Sequence, residues 1–165
     1  MQRRLKGLTA ALVVSAGAYA GVAVATPGAG FTGTTLSLGR FEEIDVKNSA
    51  LPEQAWQAKL KTQGQSDVYV QSNVWVPGGT TGWHTHPGFS LITVTAGTIS
   101  AYESDDPSCT PRVYTQGMGF VDPGGQHAHV LRNEGAVDAR TTAVQIVAPG
   151  SVRRIDVADP GNCPF

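Results

Sequence analysis

All four histidines of this 165-residue chain fall into two His-x-His pairs, His84/His86 and His127/His129. On an extended strand successive side chains alternate between faces, so residues two apart point the same way. Each pair therefore offers two imidazoles to one side of a strand. Neutral imidazole is the commonest metal ligand among side chains. Histidines scattered through a core have no reason to sort themselves in this way. A fold that uses both pairs must bring two separated stretches of chain face to face.

The surroundings of the pairs carry a resemblance. Gly78 is followed by five residues, then His84-x-His86, a short gap and Gly97. Gly117, Pro123, His129 and Asn133 follow in a second array, with Asn133 four residues after His129. Together these arrays resemble the two motifs of the cupin superfamily, and they cover the middle third of the chain. The resemblance implies an all-β fold, the cupin-type jelly-roll barrel or double-stranded β-helix. It also implies that the two motifs lie on facing strands, with their histidines meeting inside the barrel mouth around a divalent transition metal.

Two departures stand out. Ser90 occupies the acidic position of the first motif, so the usual carboxylate ligand is missing. The second motif carries one extra residue between Gly125 and His129. His129 fits the ligand position by its spacing to Asn133, and His127 fits by its spacing to Gly124. His84, His86 and His129 form the preferred ligand set. His127, on the same side of the same strand, is a fourth ligand or a proton shuttle.

The rest of the chain agrees with an all-β domain. Its length suits one domain. At 41% hydrophobic and 15% charged residues it supports a core and is unlike a disordered chain. The 20 glycines and 10 prolines supply the turns that short strands need. Strands are expected at 34–46, over the second half of 52–61, at 68–76, 91–95 and 98–103, from about His127 to Arg132, and at 141–147, with an edge strand at 152–157; residues 111–122 lead from the polar loop into the second motif. Residues 104–111 form a polar loop. Gly28, Gly30 and Gly33 formally match G-x-G-x-x-G, but no helix pattern follows them, so nucleotide binding is not expected there.

The first residues read as an export signal. Arg3, Arg4 and Lys6 precede an apolar, small-residue run from 8 to 25, and Ala23-Val24-Ala25 offers a cleavage site before Thr26. The run is near the lower length limit for a membrane span and is diluted by glycine and serine. The expected organisation is a signal peptide at 1–25, a flexible lead-in at 26–33 and a cupin domain at 34–165. The mature protein would be secreted, extracellular or in the cell envelope, with no stable membrane insertion. Losing three positive charges takes the net charge from −1 to −4, which leaves no basic patch for nucleic acid. Cys109 and Cys163, an even count in an exported chain, are expected to form a disulfide.

Three neutral histidines leave positions open on a bound metal. The related two-His-one-carboxylate site is the non-haem iron arrangement. Without a carboxylate the metal keeps its full +2 charge, making it a stronger Lewis acid that favours anionic or chelating ligands. Fe, Mn, Cu, Ni and Zn all remain open. Trp75, Trp83, Phe89 and Phe120 are the aromatic candidates for pocket walls or core, and Asn133 for a hydrogen-bonding turn. Ser90 is a donor to bound water or a satisfied polar group. Tyr102 and Gln145 are undetermined in direction, and Arg153 and Arg154 read as a solvated edge. No H-E-x-x-H, G-x-S-x-G or P-loop competes.

The resemblance implies a metal-dependent protein acting on a small organic molecule, in its most specific form a dioxygenase-like oxidoreductase. The alternative is a non-enzymatic barrel that holds a metal or small ligand in the same pocket, and fold does not decide between them. Cupins often dimerise through edge strands, so the resemblance also allows a homodimer.

Overall fold

The computed structural model describes residues 25–48, 51, 53 and 55–165. The proposed signal peptide thus lies outside the described residues apart from Ala25, whose backbone bridges to Ala158. Among the described residues there is no helix. The strands are β1 (Ala29–Phe41), β2 (Asp45–Lys47), β3 (Lys59–Lys61), β4 (Ser66–Thr80), β5 (His84–Thr85), β6 (Ser90–Ala96), β7 (Thr98–Glu103), β8 (Arg112–Thr115), β9 (Gly119–Asp122), β10 (His129–Arg132), β11 (Ala139–Val147) and β12 (Ile155–Asp156). Ten of them join in one antiparallel sheet along the path β12-β5-β10-β4-β11-β6-β9, with β1 added to β4 and the β7–β8 pair added to β10. β2 and β3 form a separate ribbon. The sheet curls into a nearly closed barrel, the all-β cupin-type architecture expected from the two motifs.

Side-chain alternation decides which residues enter the barrel. Ser90, Ile92 and Val94 are buried on β6 while Leu91, Thr93 and Thr95 are exposed. On β11, Ala139, Thr141, Ala143, Gln145 and Val147 are buried. These strands are antiparallel neighbours, with Gln145 opposite Ser90 and Ala143 opposite Ile92. The inward face therefore grades from polar at one end to apolar at the other. The apolar end packs Trp75, Val94, Ile99, Ala101, Leu131 and Ala139 together, with Phe31, Tyr114 and Phe120 against them. Trp75 is 1% exposed, and truncating a tryptophan so buried costs about 3–5 kcal/mol.

β7 lacks alternation because both its faces are covered. Ile99 and Ala101 enter the barrel core. On the outer face Tyr102 packs with Trp83, Val130 and Cys163. The C-terminal tail forms that cover and is fastened by the Cys109–Cys163 disulfide, as the cysteine count leads one to expect. Closing a loop of 54 residues stabilises by about 4 kcal/mol in the chain-entropy account.

Two of the boundaries that differ from the sequence reading bear on the motifs. The first long strand begins at Ala29 rather than Thr34 and takes in much of the expected lead-in, because β1 pairs with β4 as far as Ala29 opposite Thr80. Two of the G-x-G-x-x-G glycines, Gly30 and Gly33, are strand residues there. The second motif's strand begins at His129 rather than His127. Gly124 and Gly125, both at positive φ, turn the chain just before it.

Candidate metal centre

His84 lies directly opposite His129 on the neighbouring strand. Cross-strand partners present their side chains on the same face, so chain register alone brings the two motifs together. His86 follows just after β5 and is held by loop contacts. The amide of Gly125 donates to the carbonyl of His86 at 2.6 Å. Gly124 fits beneath this contact only as glycine: its φ is +67°, and a Cβ there would lie 2.3 Å from the carbonyl oxygen of Gly88. The two motif loops are thus locked against each other.

The imidazoles of His84, His86 and His129 converge. Ring centroids are 4.4 Å apart for His84 and His129, 4.9 Å for His84 and His86, and 5.6 Å for His86 and His129. One nitrogen from each ring lies within 4.8 Å of the others. Backbone carbonyls select the tautomers. Nδ1 of His84 donates to the carbonyl of Gly82 at 2.9 Å, and Nδ1 of His86 donates to that of Arg153 at 2.6 Å. A carbonyl can only accept, so each ring in its neutral form keeps an Nε2 lone pair; at His86 the side-chain amide nitrogen of Gln145 lies farther off, at 3.0 Å, and the closer carbonyl takes the Nδ1 proton. Burial pushes the His84 imidazole down to about 2, with the neighbouring His129 adding to the shift. Burial likewise lowers His129, to about 4, against the opposing pull of Asp122. Both are therefore neutral near pH 7, the form that binds metal. Buried polar atoms without partners also collect here, namely Nδ1 of His129 and Oδ2 of Asp122. The donor set fits a divalent transition metal.

His127 stands apart from this group. Its Nε2 lies 2.6 Å from Oε2 of Glu103, and its ring stacks 6.3 Å from that of His129. The expectation that His127 and His129 share one strand face does not hold, since His127 precedes the strand.

The three histidines line a cavity of about 290 Å³ inside the barrel, together with Trp75, Phe31, Asn73, Ser90 and Gln145. Gln145 thus enters the barrel, whereas Tyr102 faces the outer cluster and donates to Glu134 at 2.7 Å. Trp83 belongs to that outer cluster too. Phe120 packs against the barrel core. Asn133 is a turn group: its amide donates to the carbonyls of Trp75 and Val137, and its Oδ1 accepts from the amide of Gly135.

The reading of Arg153 and Arg154 as a solvated edge is corrected, because both line the cavity. After Pro149 and Gly150 the chain folds back across the site. Nε of Arg153 donates to Gln145 at 3.0 Å, its other nitrogens reach Thr35 and Gln71, and its guanidinium lies 4.2 Å over the Tyr69 ring. None of these partners is a carboxylate. Arg154 pairs with Asp156 and donates to the carbonyl of Thr81.

Asp122 also escapes the motif analysis. It is the last residue of β9, and the period of two that turns Phe120 inward and Val121 outward turns Asp122 inward as well. That alternation is the signal by which the sequence could have placed it.

No protein-family model matches the chain, and no curated protein matches it. Solved structures that resemble parts of it include an oxalate oxidase, at 25% identity over 50% of this chain and 46% of that one, with a TM-score of 0.42. A polyketide cyclase from Streptomyces resistomycificus resembles it at 20% identity over 56% of this chain and 64% of that one, with a TM-score of 0.46. A predicted oxalate decarboxylase from Thermotoga maritima does so at 18% identity over 52% and 84%, with a TM-score of 0.42. The chain spans less than half the length of the oxalate oxidase. The strand pairing and the converging histidines define the class: a nearly closed antiparallel β barrel, with motifs that resemble those of cupins, and a three-histidine group that can hold a metal.

Proposed function

We propose that this is a secreted metal-binding cupin acting on a small organic molecule as a dioxygenase-like oxidoreductase. The observation that carries the reading is the convergence of three imidazoles, two with Nδ1 held by backbone carbonyls, on the wall of a cavity in the barrel. His84, His86 and His129 hold the metal. A redox-active divalent ion bound there supplies Lewis-acid and electron-transfer chemistry. The protein's own groups do the remaining work. Arg153, a cation with no carboxylate partner, orients an anionic substrate group. The Ser90 hydroxyl and the Gln145 amide offer polar contacts, and Phe31 and Trp75 form an apolar wall that keeps bulk water away. The Cys109–Cys163 disulfide supports an oxidising compartment, and with it the export signal at 1–25.

Metal analysis of protein purified without a histidine tag tests this directly. A redox-active metal near one per chain, with oxygen uptake on a phenolic or acidic substrate, is expected. Zinc held with no open position would favour the non-enzymatic binding barrel instead.

A further inference from the structure

The first motif leaves the metal centre short of a carboxylate, because Ser90 stands at the acidic position. We propose that Asp122 supplies it, as a fourth ligand delivered from the neighbouring strand. This rests on the metal-centre reading above and extends its ligand set. Ser90 and Asp122 are direct partners across β6 and β9. The acid is therefore displaced sideways by one strand spacing, about 4.8 Å, without leaving the inner face.

The Asp122 side chain is 2% exposed. Its Oδ1 accepts from the amide of Gly124 at 2.9 Å, which accounts for one oxygen as a turn group. Oδ2 has no hydrogen-bond partner. A buried carboxylate oxygen left in that state is unfavourable unless a cation faces it.

His86 identifies what lies opposite. Nδ1 of His86 lies 2.6 Å from the Arg153 carbonyl, nearer than the Gln145 amide nitrogen at 3.0 Å, so its proton goes to the carbonyl and Nε2, 3.3 Å from Oδ2 of Asp122, presents a lone pair. Two lone pairs facing each other in a buried site repel unless a cation joins them. A proton would draw such a charge-assisted pair to about 2.7–2.9 Å. Two ligands of one metal, each bonded at about 2.1 Å and between a right angle and a tetrahedral angle apart, sit roughly 3.0–3.4 Å from one another. The observed separation falls in the second range. On the other side, Oδ1 of Asp122 is 3.8 Å from the unpartnered Nδ1 of His129, too far for a hydrogen bond. The carboxylate thus lies beside two of the three histidines with one oxygen unspent, next to the group of three nitrogens that lie within 4.8 Å of one another and not within it, so it joins the ligand set as the ion draws it in. It lowers the net charge of a divalent site from +2 to +1, and its oxygen donor suits manganese.

The test is titration of the metal-stripped protein with Mn(II), comparing wild type with Asp122→Asn. Asparagine keeps an oxygen for the Gly124 amide, so the turn survives while the charge is lost. Mn(II) affinity is expected to fall more than about 100-fold, beyond the 10–100-fold typical of outer-shell partners. A crystal structure of the Mn(II)-loaded wild type needs no variant. There Oδ2 of Asp122 is expected within roughly 2.2 Å of the ion. Equal Mn(II) affinity in the two proteins, or an ion held by the histidines with Asp122 outside bonding distance, overturns the role of Asp122 and leaves the three-histidine centre standing. A folded wild type that binds no Mn(II), Fe(II) or Zn(II) overturns both.

Discussion

The two His-x-His pairs share a spacing and not a fate. In the first pair both imidazoles enter the three-histidine group, and each Nδ1 is held by a backbone carbonyl. In the second, His129 enters and His127 turns to Glu103. Residues two apart share a face only where the backbone between them is extended. After the paired glycines at 124 and 125, the chain becomes a strand again only at His129. What fixes His86, itself just past the end of β5, is the docking of its loop under Gly125 and beside Arg153. Spacing nominates candidates, and backbone state together with second partners selects among them.

The contrast is sharpest in metal affinity. Alanine at His84, His86 or His129 is expected to weaken divalent-metal binding by more than about 100-fold in calorimetric titration. Next in size is Gly124→Ala. Its backbone lies at positive φ and its new Cβ would meet the Gly88 carbonyl. The strained backbone alone costs about 1–3 kcal/mol, seen as a lower Tm, and the displaced His86 loop weakens metal binding with it.

A smaller, graded effect follows from pH in the metal-free protein. His84 and His129 are held near 2 and 4, below the ordinary 6.5, because burial disfavours the imidazolium. Between pH 6.5 and 4 the unfolded chain takes up protons that the folded chain does not. Stability is therefore fully present above 6.5 and falls as the pH drops through that window. Denaturant melts of metal-free protein at a series of pH values check the sign. The smallest effect on the metal is expected from His127→Ala, which removes the partly buried contact to Glu103 and leaves metal affinity within roughly twofold. A large loss of metal from that variant would break the distinction between the pairs.

The barrel was legible because its signals are local. Glycines, prolines and alternating strands punctuate the chain, and the motif glycines and Asn133 sit at turns and close approaches. The first pair's candidacy follows from its spacing. What was not legible depends on contacts between distant segments. Arg153 reads as an edge residue until the chain after Pro149 is seen folding over the cavity. Asp122 reads only as the residue before Pro123 until β9 is laid beside β6, where it meets Ser90. Pairing partners of this kind are set by register, which no single stretch of sequence carries. β7 hides its alternation for a similar reason, since the disulfide-fastened tail covers its outer face.

An anomalous-difference map from crystals loaded with a divalent transition metal tests the central claim most directly. The account predicts one peak per chain, within bonding distance of nitrogens from His84, His86 and His129 and away from His127. A peak held by His127 and Glu103, or no peak at the three-histidine group under any loading, would contradict it.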